Sequence, residues 1–441
     1  MQATTERPDR HERIVVLGLN YAPETTGIAP YTTGMARHLA ACGHEVTAIT
    51  GHPHYPEWQL HPGYEDPRRP EDDAGVRLIR VSHPVPANPH GLSRVWMEAV
   101  FALRAGMRLV RERPSAVIAV SPALLALLPA LLLRPVLRHR VGVVVQDLYG
   151  AALSETGLGG GLVARATAWL ELFLLRRVDG VAVIHDVFRR RLVAAGLPKH
   201  RIDVIPNWSH VTMPGADRAA TRRDLGWRED EFIALHAGNM GAKQGLEGLI
   251  DVQRLAKERG SAVRVVLLGD GARREYLRDY AGELFDATFL DPLPKGRFEA
   301  ALEAADCLLL HERPGVVEMS VPSKLTTYFT AGRPVVAATD PASGAAALMA
   351  LSDAGLTVRA GDAGSLLAAI ESLASAPAIA EAHGANGQYY AAEHLTGARS
   401  LALIEAWIEG LGRDPFRSAE AALSPVARST SGTSASDRPA A

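Results

Sequence analysis

The sequence feature that most constrains the fold is a repeated alternation of short apolar runs with segments of helical periodicity. Residues 14–18 form a continuous apolar run of the kind expected for a buried parallel strand. A loop then leads into apolar residues at helical spacing that end at Gly43, and residues 46–49 form the next strand. A strand, a helix and a strand in this order predict a parallel sheet with right-handed crossovers.

The same alternation starts again after a polar linker at residues 213–223. Because 441 residues with 47% hydrophobic side chains exceed what one compact core holds, two α/β domains are predicted. We place the first domain at residues 1–210 and the second at 211–395, followed by a helical segment at 396–412. Residues 413–441 are rich in Ser, Ala, Pro and Arg without apolar periodicity, and we expect this tail to be disordered.

Charge is distributed unevenly although the whole chain is almost neutral. The formal net charge is −2, which indicates no general affinity for nucleic acid. Between residues 101 and 210, however, the chain carries 15 Arg and Lys against 7 Asp and Glu. Such a basic half suits an anionic membrane surface or an anionic substrate, and an ordinary solvated surface can have the same composition.

Cysteine content and hydropathy bear on the compartment. Cys42 and Cys307 do not suggest a disulfide framework, so a reducing cytoplasm is the expected setting. The N-terminal MQATTERPDRHER lacks the apolar core of a signal peptide, so secretion is not expected. The most apolar stretch, residues 122–133, falls short of the roughly 20 residues that span a bilayer. We expect a buried helix there, or an element that lies on a membrane surface.

Two residues of the first half follow predicted strands, and ligands bind at this end of the strands in parallel sheets. Gly27 lies in the loop after the first strand, where it would let a ligand approach the backbone or simply form a turn. Asp147 directly follows the strand at 141–145. Its carboxylate could act as a base, bind a sugar hydroxyl or cap a helix.

A loop rich in histidine and aromatic residues follows the second strand. His52, His54 and His61 do not predict a metal site, because prolines prevent a helical array and no Cys or paired carboxylate completes a ligand set. Tyr55 and Trp58 are suited to stacking on sugar rings, which favours an acceptor-binding role. A loop packed on the protein itself is the alternative.

Glycine-rich loops follow two strands of the second half. Their residues are Gly238, Gly241, Lys243, Gly245, Gly269, Asp270 and Gly271. Backbone N–H groups around Gly238, together with the Lys243 ammonium, suit a phosphate. The spacing is neither that of a Walker loop nor that of a dinucleotide fingerprint, so we do not expect the phosphate to be held as in those folds.

Residues 311–335 predict a strand end, a polar loop and a short helix. Ser323 is a natural N-cap beside Pro322, and Gly332 fits the end of the helix. The start of such a helix presents free N–H groups and a partial positive charge. With the Ser323 hydroxyl and the Lys324 ammonium it would bind a phosphate, and a well-capped surface helix is the alternative.

Four segments carry a family resemblance. They are NYAPETTGIAPYTTGMARHLAACGHEVTAITGHPHYPEW, GNMGAKQGLEGLI, LLGDGARREYL and VPSKLTTYFTAGRPVVA. In this order they resemble the retaining glycosyltransferases of family 4, most of all the colanic-acid and exopolysaccharide branch. The resemblance covers residues 14 to about 405. It implies the GT-B fold, in which two doubly wound, Rossmann-like α/β domains face a cleft. The first domain would bind the acceptor, the second the nucleotide sugar, and a final helix would cross back to the first.

The resemblance also implies the reaction. A hexosyl or deoxyhexosyl group would pass, with retention at the anomeric carbon, from a nucleotide diphosphate sugar to a saccharide or polyprenyl-diphosphate-linked acceptor. The pathway would be exopolysaccharide or cell-surface polysaccharide synthesis. No cofactor and no divalent metal are expected, and the sequence has no Asp-x-Asp triplet. Protein groups would then neutralise the leaving diphosphate, and Lys243, Ser323 and Lys324 are available for it.

The residues expected to bind the donor depart from the family pattern at two positions. Asn239 stands where the family has Arg, and Gln244 stands where it has Lys, with Lys243 one position earlier. We carry all three over as donor-binding residues. On the acceptor side, Gln146 stands where many relatives have His, beside Asp147.

The positions of the catalytic carboxylates depart further from the family pattern. The family's two glutamates, eight residues apart, would fall on Met319 and Thr327, so ribose recognition by a carboxylate at 327 is excluded. Glu318 lies one position from the first site and is the predicted replacement, with Glu312 as the alternative. Asp147 and Glu318 are therefore the candidate catalytic residues, and Gly27, Tyr55 and Trp58 are the candidate acceptor-binding residues.

The expected partners are a nucleotide-sugar donor and a lipid-linked or free saccharide acceptor, without nucleic acid. The basic first half and an apolar stripe around Trp169 favour a cytoplasmic protein in peripheral contact with the inner face of the membrane. Two other functions suit the same fold. One is a nucleotide-sugar epimerase, and the other is a non-catalytic nucleotide-sugar-binding partner of a membrane assembly, suggested by the missing glutamates.

Overall fold

The structure is a computed structural model that describes residues 11–25, 27–64, 71–86, 91–121, 124–148, 161–284, 288–315 and 323–412. Within these residues the strands form two separate sheets. The sequence pattern explains this division, because the alternation of strands and helices runs through the chain twice. The predicted α/β class with parallel sheets is confirmed. The expected catalytic Glu318 and the tail at 413–441 lie outside the described residues.

The first sheet contains eight of the described strands. They are β1 (Arg13–Gly18), β2 (Glu45–Gly51), β3 (Glu71–Asp73), β4 (Val76–Val81), β5 (Ala116–Val120), β6 (Arg140–Val145), β7 (Gly180–Val183) and β8 (Ile202–Val204). Their order is β3-β4-β2-β1-β5-β6-β7-β8, and every neighbouring pair is parallel except β3 with β4. The order reverses beside β1, which is where doubly wound sheets bind ligands.

Helices cover this sheet. They are α1 (Ala29–Ala41), α2 (Leu92–Glu112), α3 (Leu127–Leu137), α4 (Gly161–Leu175) and α5 (Asp186–Ala194). All residues of β5 are buried, as expected of a central strand with helices on both faces.

The second sheet contains six of the described strands, all parallel. They are β9 (Phe232–Ala237), β10 (Val263–Leu268), β11 (Phe289–Leu290), β12 (Cys307–His311), β13 (Val335–Thr339) and β14 (Gly355–Arg359), in the order β11-β10-β9-β12-β13-β14. The helices of this half are α6 (Arg218–Asp224), α7 (Glu247–Arg259), α8 (Arg274–Ala281), α9 (Arg297–Ala304), α10 (Ser323–Thr330), α11 (Gly344–Ser352), α12 (Ala363–Ser375) and α13 (Pro377–His394).

The last described helix, α14 (Gly397–Gly410), packs on the first sheet and not on the second. Two strand glycines make room for it. A Cβ atom at Gly142 would lie 2.7 Å from the Trp407 ring, and one at Gly180 would lie 2.5 Å from the Leu411 side chain. Because any larger residue at either glycine would meet these side chains, the sheet surface is shaped to seat this helix.

The chain crosses between the two sheets twice, and the crossings run side by side. The Ser209 amide donates a hydrogen bond to the Leu395 carbonyl at 3.2 Å. A Cβ atom at Gly397 would lie 3.3 Å from the Trp208 ring. The outgoing and the returning segments are therefore packed together.

Three elements were not predicted from the sequence. Strand β4 pairs with β2, and the short β3 pairs with it in antiparallel direction. The polar linker at 213–223 is not wholly extended, because α6 begins within it. The Asp217 carboxylate caps this helix by accepting hydrogen bonds from the amides of Ala219 and Ala220. Arg222 then fixes the helix with an ion pair to Asp306 at 2.9 Å.

Membrane-spanning potential is limited in the described part of the chain. No single helix there combines the length and hydrophobicity needed to cross a bilayer. One bent pair, Ala363–Ser375 with Pro377–Gly410 at 102°, passes by length and composition only. Leu367 and Ile370 of this pair are buried in the second domain.

Removing the Trp407 side chain should destabilise the first domain. Trp407 is only 7% exposed, and Trp407→Ala leaves a cavity over Gly142, so we expect the free energy of unfolding to fall by about 3–5 kcal/mol. Urea denaturation followed by far-UV circular dichroism measures it. Trp169→Ala is the control, since Trp169 is 64% exposed and should change stability by less than about 0.5 kcal/mol. An equal fall in the free energy of unfolding in both variants would contradict the packing of Trp407 on the first sheet.

Candidate active site

Two loops of the second domain interlock where β9 and β10 end. The Met240 amide donates a hydrogen bond to the Asp270 carbonyl at 2.8 Å. A Cβ atom at Gly269 would lie 2.2 Å from the Gly238 carbonyl oxygen, and one at Gly271 would lie 2.6 Å from the Met240 amide nitrogen. With φ of +120° at Gly238, +136° at Gly269 and +157° at Gly271, only glycine suits these positions. The predicted glycine loops thus form one backbone surface.

The rest of the first loop rests on the end of β12. The Gln244 side-chain oxygen accepts a hydrogen bond from the Gly241 amide at 3.1 Å, and His311 Nδ1–H donates to the Gln244 carbonyl at 2.7 Å. The Arg313 amide donates to the Lys243 carbonyl at 2.9 Å. Gln244, predicted to bind the donor, therefore shapes the loop with its side-chain oxygen, while Lys243 is exposed.

Helix α10 begins at Ser323, as the sequence predicted, and brings Lys324 under the glycine loop. A Cβ atom at Gly238 would lie 3.0 Å from Lys324 Cε. The helix is fixed to the end of β9 because the Tyr328 hydroxyl accepts from the Ala237 amide at 2.9 Å and donates to the Ala237 carbonyl at 3.2 Å. The Lys324 ammonium is thus held beneath the backbone surface that was predicted to bind a phosphate.

The Lys324 ammonium contacts the His236 ring, with Nζ and Nε2 2.8 Å apart. His236 Nδ1–H donates to the Leu309 carbonyl at 3.0 Å, which leaves Nε2 as the acceptor for Lys324. Burial lowers the pKa of Lys324 to about 7. Burial, and then the charge of Lys324, hold the pKa of His236 well below its usual range. Near neutral pH Lys324 is therefore close to its titration point, and an anion bound beside it would raise its pKa and favour the charged form, which takes up a proton from solvent.

Asp147 lies in the first domain, on the other side of the cleft from the glycine loops. It follows β6 and is partly buried. Burial raises the pKa of Asp147 to about 6, and the charge of Lys243 on the second domain acts in the opposite direction. Burial, and then the charge of Asp147, raise the pKa of Tyr55. The charges of Lys243 and Asp147 therefore act across the cleft between the domains, and that of Asp147 acts on Tyr55.

Glu24 organises the loop that was predicted to bind the acceptor, although the sequence analysis did not single out this residue. Its Oε1 accepts hydrogen bonds from the amides of His54 and Tyr55 at 2.8 and 2.9 Å. Its Oε2 accepts from the Asn20 side chain at 2.9 Å. This buried carboxylate joins the loop after β1 to the loop after β2 and so positions Tyr55.

The three predicted acceptor-binding residues lie together. A Cβ atom at Gly27 would lie 3.0 Å from the Tyr55 ring, and φ at Gly27 is +65°. The Trp58 ring centroid is 6.0 Å from that of Tyr55 in an edge-on arrangement. Trp58 also packs on the core, and the Arg94 guanidinium lies 5.3 Å from its ring centroid. Tyr55 is thus better placed for an acceptor than Trp58, whose ring is largely used within the protein.

Histidines of this loop have structural partners. His52 Nδ1–H donates to the Tyr64 carbonyl at 2.6 Å, and His54 Nδ1–H donates to the His52 carbonyl at 2.9 Å. Burial lowers the pKa of His54 to about 4, so this ring is neutral at physiological pH. These contacts agree with the packed loop that the sequence analysis kept as an alternative.

Gln146, which stands where many relatives have histidine, is locked in place. It exchanges two hydrogen bonds with Asn207, one at 2.7 Å from the Asn207 amide and one at 3.2 Å to the Asn207 oxygen. The Gln146 backbone amide also donates to the Ser121 hydroxyl at 3.1 Å. This pairing fixes the end of β6, and with it the position of Asp147.

The two candidate replacements for the family glutamate differ in position. Glu312 is buried, and its carboxylate accepts a hydrogen bond from the Thr339 hydroxyl on the neighbouring strand. Its amide donates to the Ala338 carbonyl at 3.0 Å. Glu312 is thus part of the packing between β12 and β13, and Glu318 lies outside the described residues.

Sequence reasoning missed His236, Glu24 and Asn207. Each acts on a residue far along the chain, which no local pattern reveals. A weak signal existed for His236, the polar residue within the otherwise apolar run FIALHA. The corresponding signal for Glu24 was that it is an isolated acidic residue in the loop after a buried strand.

Comparison with known families agrees with this architecture. Residues 26–208 match the family described as glycosyl transferase 4-like domain, and residues 231–376 match glycosyl transferases group 1. The chain is 32% identical over 337 residues to the colanic acid biosynthesis glycosyl transferase WcaI of Escherichia coli K12, which covers 73% of this chain and 81% of that protein.

Solved structures share the fold at low sequence identity. Sucrose-phosphate synthase from Thermosynechococcus elongatus superposes with a TM-score of 0.71 at 18% identity, covering 93% of this chain and all of that one. Anabaena HepE in complex with UDP-glucose superposes with a TM-score of 0.65 at 16% identity, covering 91% of this chain and all of that one. With two Rossmann-like domains and a match to both family halves, the chain belongs to the family 4-like, group 1 glycosyltransferases of GT-B fold.

Proposed function

We propose that this protein transfers a hexosyl or deoxyhexosyl group from a nucleotide diphosphate sugar to a saccharide acceptor, with retention at the anomeric carbon. The observation that carries the proposal is the cleft in which the charge of Lys243 on the second domain acts on Asp147 of the first. Within the second domain, Lys324 is buried against His236 beneath the glycine loop. The likeness to HepE, whose structure holds UDP-glucose, and to WcaI supports a nucleotide sugar and a polysaccharide pathway.

The donor diphosphate would lie over the glycine loops. Negative charge develops on it as the bond to the sugar breaks, and stabilising this charge by groups fixed in advance is a large contribution to catalysis. Lys324, held by His236, would meet the phosphates together with the backbone at Gly238, the start of α10 at Ser323 and the exposed Lys243. Asn239, Gly269, Asp270 and Gly271 complete this surface. The protein itself would then neutralise the leaving group, with no metal expected in this step.

The acceptor would bind on the opposite side. Asp147 can accept a hydrogen bond or a proton from the attacking hydroxyl, since its pKa of about 6 leaves it mostly ionised at neutral pH. Tyr55, with Gly27 behind it, would pack against the acceptor sugar. Glu318 remains our proposal for the second catalytic carboxylate.

A lipid-linked acceptor is favoured by an apolar surface on the first domain. Helices α2 and α3 pack closely, since a Cβ atom at Gly106 would lie 2.9 Å from Pro129. Both expose large apolar side chains to solvent: Trp96, Leu103, Met107, Leu132 and Val136. Exposed arginines accompany them, among them Arg108, Arg111 and Arg138. An apolar surface edged by cations suits an anionic membrane, so we propose peripheral contact there and a polyprenyl-diphosphate-linked acceptor.

A nucleotide-sugar panel tests the function. Thermal-shift screening identifies the donor, and assays on membrane extracts then detect sugar transferred to lipid. Transfer that depends on the extract supports the proposal. Donor turnover without an acceptor indicates an epimerase or hydrolase, and tight donor binding without any turnover indicates a non-catalytic partner.

Replacing Lys324 should impair transfer without unfolding the protein. We expect Lys324→Ala to lower kcat/KM for the donor by about 2–4 kcal/mol of transition-state stabilisation, because a fixed cation is lost from the leaving group. Lys257→Ala is the control, since Lys257 is exposed in the last turn of α7. Unchanged activity of Lys324→Ala, with normal circular dichroism, would refute the role of this lysine.

The pH dependence of kcat/KM should be bell-shaped. Below about pH 6 Asp147 becomes protonated and cannot accept from the acceptor hydroxyl. Above about pH 7 the free enzyme loses the charge of Lys324, so donor capture weakens as pH rises. Initial rates at low donor concentration measure this profile, and Asp147→Asn should abolish its acid limb along with most activity. A profile that stays flat through both pKa values would be inconsistent with these roles.

Polar substitution of the apolar surface should weaken membrane binding. The triple variant Trp96→Ser, Leu103→Ser, Met107→Ser should partition at least about tenfold less onto vesicles with anionic lipid, since each buried apolar side chain contributes about 1.5–3 kcal/mol. Sedimentation with vesicles measures this. Ile379→Ser with Tyr389→Ser is the control, because both residues are exposed on α13 of the other domain. Equal binding of all three proteins would exclude this surface.

A further inference from the structure

Three potential metal ligands converge away from the cleft, where the end of α1 meets α14. His38 lies in the last turn of α1, Cys42 ends that helix, and Glu405 comes from α14. One ligand atom of each lies within 4.8 Å of the other two. The sequence analysis considered only His52, His54 and His61 as ligands, because Glu405 is remote from His38 along the chain.

Two of the three distances between these ligand atoms match the edges of a tetrahedral site. His38 Nε2 lies 3.5 Å from the Cys42 sulfur and 3.6 Å from Glu405 Oε2. With Zn–S and Zn–N or Zn–O bonds of about 2.3 and 2.0–2.2 Å, tetrahedral angles place such ligand atoms about 3.4–3.6 Å apart. The three side chains therefore need little movement to share one ion.

The contacts also argue against a catalytic relay. In a nucleophile–histidine–carboxylate triad the nucleophile and the carboxylate bind opposite nitrogens of the ring. Here Cys42 and Glu405 both approach the same nitrogen, Nε2 of His38. Convergence on one point is the geometry of a coordination site.

We propose that His38, Cys42 and Glu405 bind one Zn²⁺ ion that fastens α14 to α1. A thiolate, an imidazole and a carboxylate form a set that favours zinc over magnesium or calcium, which prefer oxygen alone. Cys42 is exposed, so the fourth position is open to water. The ion is structural and distinct from the transfer reaction, since its ligands lie outside the proposed donor and acceptor sites.

Binding should raise stability. The ion joins two helices that are distant in the chain, and a ligand bound only by the folded state stabilises it.

The test uses the full-length protein after treatment with a chelator. Co²⁺, as a spectroscopic probe, should bind with one-to-one stoichiometry and produce the thiolate charge-transfer absorption of a Co–S bond. Zn²⁺ should displace it and raise the melting temperature. Cys42→Ser and Glu405→Gln should each lose about 100-fold or more in Zn²⁺ affinity, since even changes to groups behind the ligands cost about 10–100-fold.

A matched control separates this site from adventitious binding by other histidines. Glu409 lies one turn along α14 from Glu405, and Glu409→Gln should bind Zn²⁺ as the wild type does. Cys42→Ser should keep glycosyl transfer at wild-type rate at low temperature. Absence of the thiolate absorption, or equal Zn²⁺ affinity in the wild type and Cys42→Ser, would overturn the proposal.

Discussion

Both domains depend on one constraint: parallel strands buried on both faces can be joined only by chain that returns over the sheet. The segments that follow the parallel strands therefore gather at one edge of each sheet. In the first domain these segments contribute Glu24, Tyr55 and Asp147. In the second they contribute the loops at 238–245 and 269–271. Loops that follow different strands meet at this edge. The site is therefore assembled from residues that are distant in sequence.

This topology explains how much could be predicted from the sequence. Strands buried on both faces give continuous apolar runs, so most strands were located to within a residue or two, and the glycines where the loops interlock were recognised. Strand β4 was missed because its sequence VRLIRV interrupts the apolar run with arginines. Helix α6 was missed because its polar sequence resembles a linker, and its stability derives from the Asp217 cap and from the ion pair of Arg222 with Asp306.

The site was predictable in part for a related reason. Lys324 was recognised because the signals for the start of a helix are local. Its partner His236 lies 88 residues earlier, and Glu24 lies 30 residues from the amide of His54 that it binds. Such pairs are set by the sheet order, which residue patterns alone do not fix. The Gln244 side-chain oxygen bonds the loop's own backbone, and its assignment to the donor stays a prediction.

Burial shifts the pKa values of two residues of the cleft in opposite directions. It favours the neutral form of Lys324 on one side and the neutral form of Asp147 on the other. Without a bound donor, Lys324 and Asp147 are therefore both close to their titration points near neutral pH. A diphosphate would draw Lys324 to its charged form, so donor binding and protonation are thermodynamically linked.

The paired crossings between the domains set how the cleft can change. Because Ser209 and Leu395 are hydrogen-bonded where the chain leaves and re-enters the first domain, the two links lie side by side. Two adjacent links act as one hinge, so any opening or closing of the cleft would pivot where the outgoing and returning segments are packed together.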